Sequence, residues 1–339
     1  MLEKPALADE SLIAGLQRAY GLAVKTLTFL PLGADANAGV YRADATNGNA
    51  YFVKLRHGHI DETSVTLPQC FIDQGITQII PPLPTQSGDL WTTLDAFTVI
   101  IYPFVEGHNA SEVALSDELW RVFGAALKRV HTATIPFALG QQIQRERFSP
   151  QAREAVKGFL ARVAVEHWSE PVAAKTAAFL HEKRVEIRDL IARAEGRAHR
   201  LQANLPDFVV CHSDIHGWNL LIDGNNHLYM VDWDNPIWAP KERDLMFVGS
   251  GLGFAGGRML QEEETLFYQG YGETAINAAA LAYYRYERIV QDIWEFGKQL
   301  LLTDDGGEDR EQSLRYLMSN FGPDGTIAIA YASDKTEAG

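Results

Sequence analysis

A chain of 339 residues is longer than one hydrophobic core usually organises, so two lobes are expected, each with its own core. Hydrophobic residues at 46% and charged residues at 22% exclude a disordered or membrane-embedded chain. A formal net charge of -14 sets the surface against nucleic-acid phosphates and anionic headgroups, which leaves out nucleic acid and membrane as partners and suits a small cationic one, although acidity for solubility alone would account for the same charge.

In chain order, the first elements are strands: Thr26 to Leu32, Gly39 to Ala43, Ala50 to Leu55 and Phe97 to Tyr102, separated by segments rich in Gly, Asn, Pro and Asp. They predict a small antiparallel sheet. A helix is expected between Asp61 and Gly75, started or kinked by Pro68, which cannot donate the interior hydrogen bond. After Gly107 the pattern turns helical, with Ser116 placed to cap a helix carrying Leu119, Trp120, Val122, Phe123, Ala126, Leu127 and Val130 at helical spacing. Further helices are expected over about Pro150 to Glu166, Pro171 to Leu201, Glu262 to Tyr271 and Ala275 to Leu302, and the tail from Asp334 to Gly339 reads as frayed.

Two short apolar runs, Phe208-Val209-Val210-Cys211 and Leu228-Tyr229-Met230-Val231, interrupt the helices. As strands they would set the polar clusters that follow them side by side. The chain is therefore α+β: residues 1–105 a small sheet lobe with one helix, residues 106–339 a larger, mainly helical lobe. Cys70 and Cys211 lack metal-ligand spacing, and the opening Met1 to Pro5 lacks a signal-peptide pattern, so a cytoplasmic protein without zinc or disulfides is expected.

The clusters are His212-Ser213-Asp214-Ile215-His216-Gly217-Trp218-Asn219 and Val231-Asp232-Trp233-Asp234. Asn219 follows Asp214 by five residues and Asp232 follows it by eighteen, the layout of a kinase catalytic loop and its later metal-binding acid. Phosphoryl transfer needs a carboxylate to orient and accept the proton of the incoming hydroxyl, which suits Asp214. It also needs hard oxygen ligands for magnesium, which suits Asn219 and Asp232. Taken singly, an Asp or Asn here is an ordinary turn residue, His212 a buried scaffold residue, and His216 either. Together, on two strand ends, they point to a kinase using ATP and Mg2+.

Lys54, centred in the apolar strand pattern Tyr51-Phe52-Val53-Lys54-Leu55, is placed to neutralise ATP phosphate charge. Its acidic partner is expected on the following helix, at Glu62 or Asp61. Asn37 lies in the loop Leu32 to Val40, where a phosphate-covering loop belongs, although the loop is neither G-x-G-x-x-G nor a Walker P-loop. Pro103 and Val105 sit where the sheet hands over to the helices, so the backbone there could hydrogen-bond an adenine.

The segments His212-Ser213-Asp214 to Asn219 and Val231-Asp232-Trp233-Asp234 resemble the signature of the aminoglycoside phosphotransferases, which share a bilobal protein-kinase-like fold with choline and homoserine kinases. The resemblance extends to Leu32 to Asn37, Tyr102-Pro103-Phe104, Ala239 to Phe247 and Tyr283 to Val290. It implies Asp214 as catalytic base, Asn219 and Asp232 as magnesium ligands and Lys54 as the phosphate-contacting lysine. As acceptor it implies the 9-hydroxyl of spectinomycin, a compact dicationic aminocyclitol, and hence a role in antibiotic resistance. Ser213 stands where the family commonly has glycine. A dication calls for an acidic, partly aromatic pocket, with Asp234, Trp238, Glu287 and Asp292 as candidates. Glu287, Gln291 and Glu295 also share one helix face, which a solvated surface would explain equally. Other acceptors of the same chemistry remain open, among them another aminoglycoside, choline, homoserine or a methylthio sugar, as does a catalytically silent nucleotide-binding module. A protein kinase is disfavoured, since neither Asp-Phe-Gly nor Ala-Pro-Glu follows Asp232.

Overall fold

In the computed structural model, which describes residues 4–32, 38–250, 254–256, 259–303, 307–323 and 325–337, the strands of the first half pair as their alternation requires. β1 (Val24–Leu30), β2 (Ala38–Ala45), β3 (Ala50–His57), β4 (Thr92–Leu94) and β5 (Phe97–Pro103) form one antiparallel sheet in the order β1-β2-β3-β5-β4. Its inner face buries Tyr41, Val53, Leu55, Val99 and Ile101 against Leu12 and Leu16 of α1 (Asp9–Tyr20). That helix, not anticipated above, has Asp9 and Glu10 in its first turn, where negative charge favours the helix dipole, and Gly21 closing it at φ 68°.

The second helix, α2 (Thr63–Asp73), carries Pro68 in its interior and not at its start. Asp61 supplies the start signal, accepting hydrogen bonds from Thr63 N at 2.9 Å and Thr63 Oγ1 at 2.7 Å. Leu67 and Phe71 of this helix join the core of the second half, with the Phe71 ring 5.0 Å from Trp233.

Past the first sheet, β6 (Gly107–Asn109) pairs with β9 (Leu220–Asp223), which pairs with β10 (Leu228–Met230). Gly107 is needed there, because a Cβ would stand 2.0 Å from the Ile222 carbonyl oxygen. A third sheet sets β11 (Ile237–Ala239) between β7 (Gln144–Arg145) and β8 (Val209–Cys211). The two apolar runs are thus strands of different sheets, and bonds between the loops after them, not strand pairing, bring their polar clusters together.

Among the helices, α3 (Asp117–His131) is capped as expected, with Ser116 Oγ accepting from Leu119 N at 3.2 Å. Short α4 (Phe137–Gln142) leads to α5 (Gln151–Arg162). The long helix expected over Pro171 to Leu201 is two, α6 (Pro171–Glu182) and α7 (Arg184–Ala203), because apolar periodicity does not register the break at Lys183. Then follow α8 (Glu242–Leu245), α9 (Leu260–Tyr271), α10 (Ala278–Leu302), α11 (Gly307–Ser319) and α12 (Thr326–Glu337). Asp334, expected in a frayed tail, lies inside α12 and pairs with Arg193 and Arg197 of α7. Among the described residues no helix is long and apolar enough to cross a membrane.

α10 serves two cores. Ala280, Tyr283 and Tyr284 pack into the core around Phe123 and Phe267, while Tyr286, Ile289, Val290 and Ile293 pack with α5, α6 and α7. Helices α3 and α9 cross at backbone contact: a Cβ on Gly124 would lie 2.1 Å from Phe267 O, and one on Gly270 1.9 Å from Arg121 O. Gly124→Ala should therefore force the helices apart and lower stability by about 2 kcal/mol, read as a lower denaturation midpoint at unchanged m-value.

Candidate active site

The loop that follows β8 is shaped by an acid beneath it. Asp244, wholly buried on α8, accepts the backbone N–H of His212 at 2.8 Å and that of Ser213 at 2.7 Å. His131 Nε2 meets the same carboxylate at 3.0 Å and is itself held through Nδ1 by the Tyr271 hydroxyl at 2.8 Å. Cys211 stands beside this group, the three ligand-type atoms lying within 4.8 Å of one another. With both Asp244 oxygens taken by amides and His131, the arrangement works as a hydrogen-bonded brace. Sequence reasoning assigned Asp244 no role, because it follows Lys241-Glu242-Arg243 and reads as the end of that charged segment, ahead of the apolar Leu245-Met246-Phe247-Val248.

Ser213 takes the left-handed conformation at φ 73°, which accounts for the glycine common at this position, and its hydroxyl donates to Asn235 O at 2.7 Å. His212 is the scaffold residue its position suggested. Its Nδ1 accepts from Asp214 N at 3.3 Å while its Nε2 meets Val231 O at 2.9 Å, an arrangement that requires the Nε2–H tautomer. Asn219 ends a 3-10 turn (Gly217–Asn219) and donates from Nδ2 to Asp214 O at 2.8 Å, so Oδ1 is the atom it can offer a cation. Val231 N donates to Asn219 O at 3.0 Å, which completes the link between the two clusters.

The Asp214 carboxylate is engaged at both oxygens: Oδ1 by Arg288 Nη1, and Oδ2 by His216 Nε2 at 3.4 Å. Burial by itself would raise its proton affinity, but the Arg288 guanidinium and then His216 outweigh that and hold the carboxyl well below the usual carboxylate range. Arg288 was quoted above only within a family segment. Its Nε donates to Asp292 Oδ1 at 2.9 Å, one turn further along α10, and burial pushes the Asp292 carboxyl up against the pull of Arg288.

From β3, Lys54 Nζ donates to Asp232 Oδ1 and to Asp234 Oδ1, both at 2.7 Å, and Arg56 Nη1 donates to Asp234 Oδ2 at 2.7 Å. Burial alone would lower the Lys54 pKa; the two carboxylates reverse this and raise it. Asp232 is held down chiefly by Lys54 against burial, whereas burial and the neighbouring Asp232 carry Asp234 upward. Asp232 also sits at φ 66°, a left-handed bend that a side chain adopts at some cost.

This pairing corrects the expected partner of Lys54. Asp61 turns its carboxylate to Thr63, and Glu62 makes no ion pair with Lys54. Spacing placed an acid on the next helix but could not reveal that two acids from a distant loop reach the ammonium first. Asp234, expected to meet an acceptor ammonium, has its two oxygens engaged by Lys54 and Arg56. Trp238, partly buried, gives its indole N–H to Gly140 O at 2.9 Å and packs against the core. Asn37 lies outside the described residues. Pro103 ends β5 opposite Tyr51, and no hydrogen bond within the chain occupies the Val105 N–H among the described residues.

Glu287 is buried at 2% exposure and receives Arg153 Nη1 at 2.5 Å, while Arg153 also donates to Phe148 O and Ser149 O. It is a core ion pair between α10 and α5, not a wall of an open acidic pocket. Burial raises its carboxyl to about 7 in spite of Arg153. A carboxyl raised on folding stabilises below its unfolded pKa and loses that contribution as pH rises through the folded value. Arg153→Met should thus cost about 3 kcal/mol, by urea denaturation, with a larger deficit at pH 9 than at pH 6.

The sequence profile of the phosphotransferase enzyme family matches residues 74–278, more than half of the chain. The crystal structure of a spectinomycin phosphotransferase in complex with ADP and spectinomycin is 34% identical, covers 97% of this chain and 99% of its own, and superposes with a TM-score of 0.90. The AMP-bound complex of spectinomycin phosphotransferase is 33% identical over 95% of this chain and 98% of its own, with a TM-score of 0.84. The choline kinase of Streptococcus pneumoniae, 16% identical over 94% of this chain and 98% of its own, shares the fold at a TM-score of 0.59. No curated protein matches the chain in sequence.

Proposed function

The chain belongs to the phosphotransferase enzyme family, and from that premise we propose that it transfers the γ-phosphate of ATP to the 9-hydroxyl of spectinomycin, an activity that would confer resistance to that antibiotic. The observation that carries the choice of acceptor is the similarity along 97% of the chain to a phosphotransferase crystallised with spectinomycin. Near Asp214, a second acid, Asp292, shares the Arg288 guanidinium, which agrees with a cationic acceptor.

In this reading residues 1–105 cover the nucleotide, with Val105 N–H and the Pro103 backbone meeting the adenine, and residues 106–339 hold the acceptor. Asp232 and Asn219 Oδ1 are hard oxygen donors that fit magnesium. When bound there, the ion would neutralise charge on the phosphates. Lys54 then exchanges one of its two carboxylates for phosphate oxygens, keeping Asp234 as a fixed partner. Asp214 orients the acceptor hydroxyl and takes its proton.

Coupled ADP release with ATP and magnesium, run across spectinomycin, kanamycin, streptomycin, choline and homoserine, tests the proposal. Turnover is expected with spectinomycin, the product carrying phosphate on the 9-hydroxyl by NMR. Turnover confined to another acceptor would overturn the substrate, and none at all would overturn the activity.

A further inference from the structure

On α10, residues 288 and 292 stand one turn apart on a common face, and the helix sets them against the loop that carries Asp214. The Arg288 guanidinium is held at three places. Nη1 binds Asp214 Oδ1, Nε binds Asp292 Oδ1 at 2.9 Å, and the plane lies over the Phe247 ring with its central carbon 5.7 Å from the centroid. A fork fixed this way, partly buried at 28% side-chain exposure, cannot turn without breaking a charge-assisted bond. It therefore fixes the carboxylate it touches. Among the described residues, Asp214 Oδ2 by contrast meets only the longer His216 contact at 3.4 Å, and the Nδ1 of that ring is buried there without a hydrogen-bond partner.

We infer that Arg288 is a positioning residue for the transfer reaction: anchored by Asp292, it holds Oδ1 of Asp214 and leaves Oδ2 as the oxygen that meets the acceptor hydroxyl. This rests on the phosphotransferase reading above. In the step so arranged, the acceptor oxygen forms its bond to the γ-phosphorus while the bridging P–O bond breaks. The electron pair of that bond leaves with ADP, and the hydroxyl proton passes to Asp214. A loose transition state demands little base strength early and much alignment, so a carboxylate clamped by a guanidinium suits it.

Arg288→Gln, Arg288→Lys and Asp292→Asn, assayed beside the parent chain with ATP, magnesium and spectinomycin, test the inference. Arg288→Gln should lower kcat by about 50-fold, with both KM values within about threefold, because misalignment near the reacting atoms costs up to ~100-fold in rate and little in binding. Arg288→Lys should recover only part of that loss and stay about tenfold below the parent, since an ammonium can keep the Asp214 contact but not the fork that also engages Asp292. Asp292→Asn should lose about tenfold through a looser anchor. A residue that only braces the fold would lower the melting temperature and leave kcat of the folded enzyme intact; that result in Arg288→Gln overturns the inference. So does a raised KM for spectinomycin at unchanged kcat, which would make Arg288 a substrate contact. If Arg288→Gln fails to fold, the kcat of the Lys and Asn variants decides by the same criteria. A parent chain that uses a different acceptor overturns the substrate alone, and the same kcat comparison with that acceptor then decides the role of Arg288; a parent without any turnover overturns both.

Discussion

Asp214→Ala should lower kcat by about 10³- to 10⁴-fold while leaving the affinity for magnesium and nucleotide within about twofold. The variant should fold, because Arg288 keeps Asp292 as a partner and the loop is braced through backbone groups, with His212 N and Ser213 N on Asp244. What disappears is the group proposed to align the acceptor hydroxyl. Single-turnover kinetics together with nucleotide titration would check it. Near-normal transfer would remove Asp214 from the chemistry, and a parallel loss of nucleotide affinity would place it in binding instead.

Asp232→Ala acts on the other half of the site. Removing the carboxylate proposed to hold magnesium should lower nucleotide affinity in the presence of magnesium by about 10² to 10³, to the level seen with chelator, and transfer should fall below detection. Lys54 remains compensated after the change, since Asp234 Oδ1 also lies 2.7 Å from its ammonium, so the loss should come without a collapse of stability. Calorimetric titration of ADP with magnesium and with EDTA separates the outcomes. Unchanged affinity with magnesium present would count against a ligand role for Asp232.

Asp214 and Asp232 matter in different ways because the structure gives them different partners. Asp214 faces Arg288 on α10, on the side proposed to take the acceptor. Asp232 faces Lys54 on β3, a cation that nucleotide phosphates can claim. Neither partner is near in sequence.

The sequence by itself determined the α+β class, the first sheet, the capped helix α3 and the two polar clusters, because each rests on local patterns. Strand alternation needs only neighbours two residues apart, Ser116 needs only the turn that follows it, and the spacing of Asp214, Asn219 and Asp232 is a property of one loop and the hairpin beyond it. The glycine-like demand at Ser213 came only from the family resemblance, and its cause, φ 73°, only from the structure. Only the tertiary structure decided which charges meet. Lys54 took Asp232 and Asp234 and left Glu62 without it, Glu287 went into the core with Arg153, and Asp244 proved to be the acid under the loop that carries Asp214. Ion pairing depends on distance and burial across elements far apart in the chain, and a helical or strand period carries no term for either.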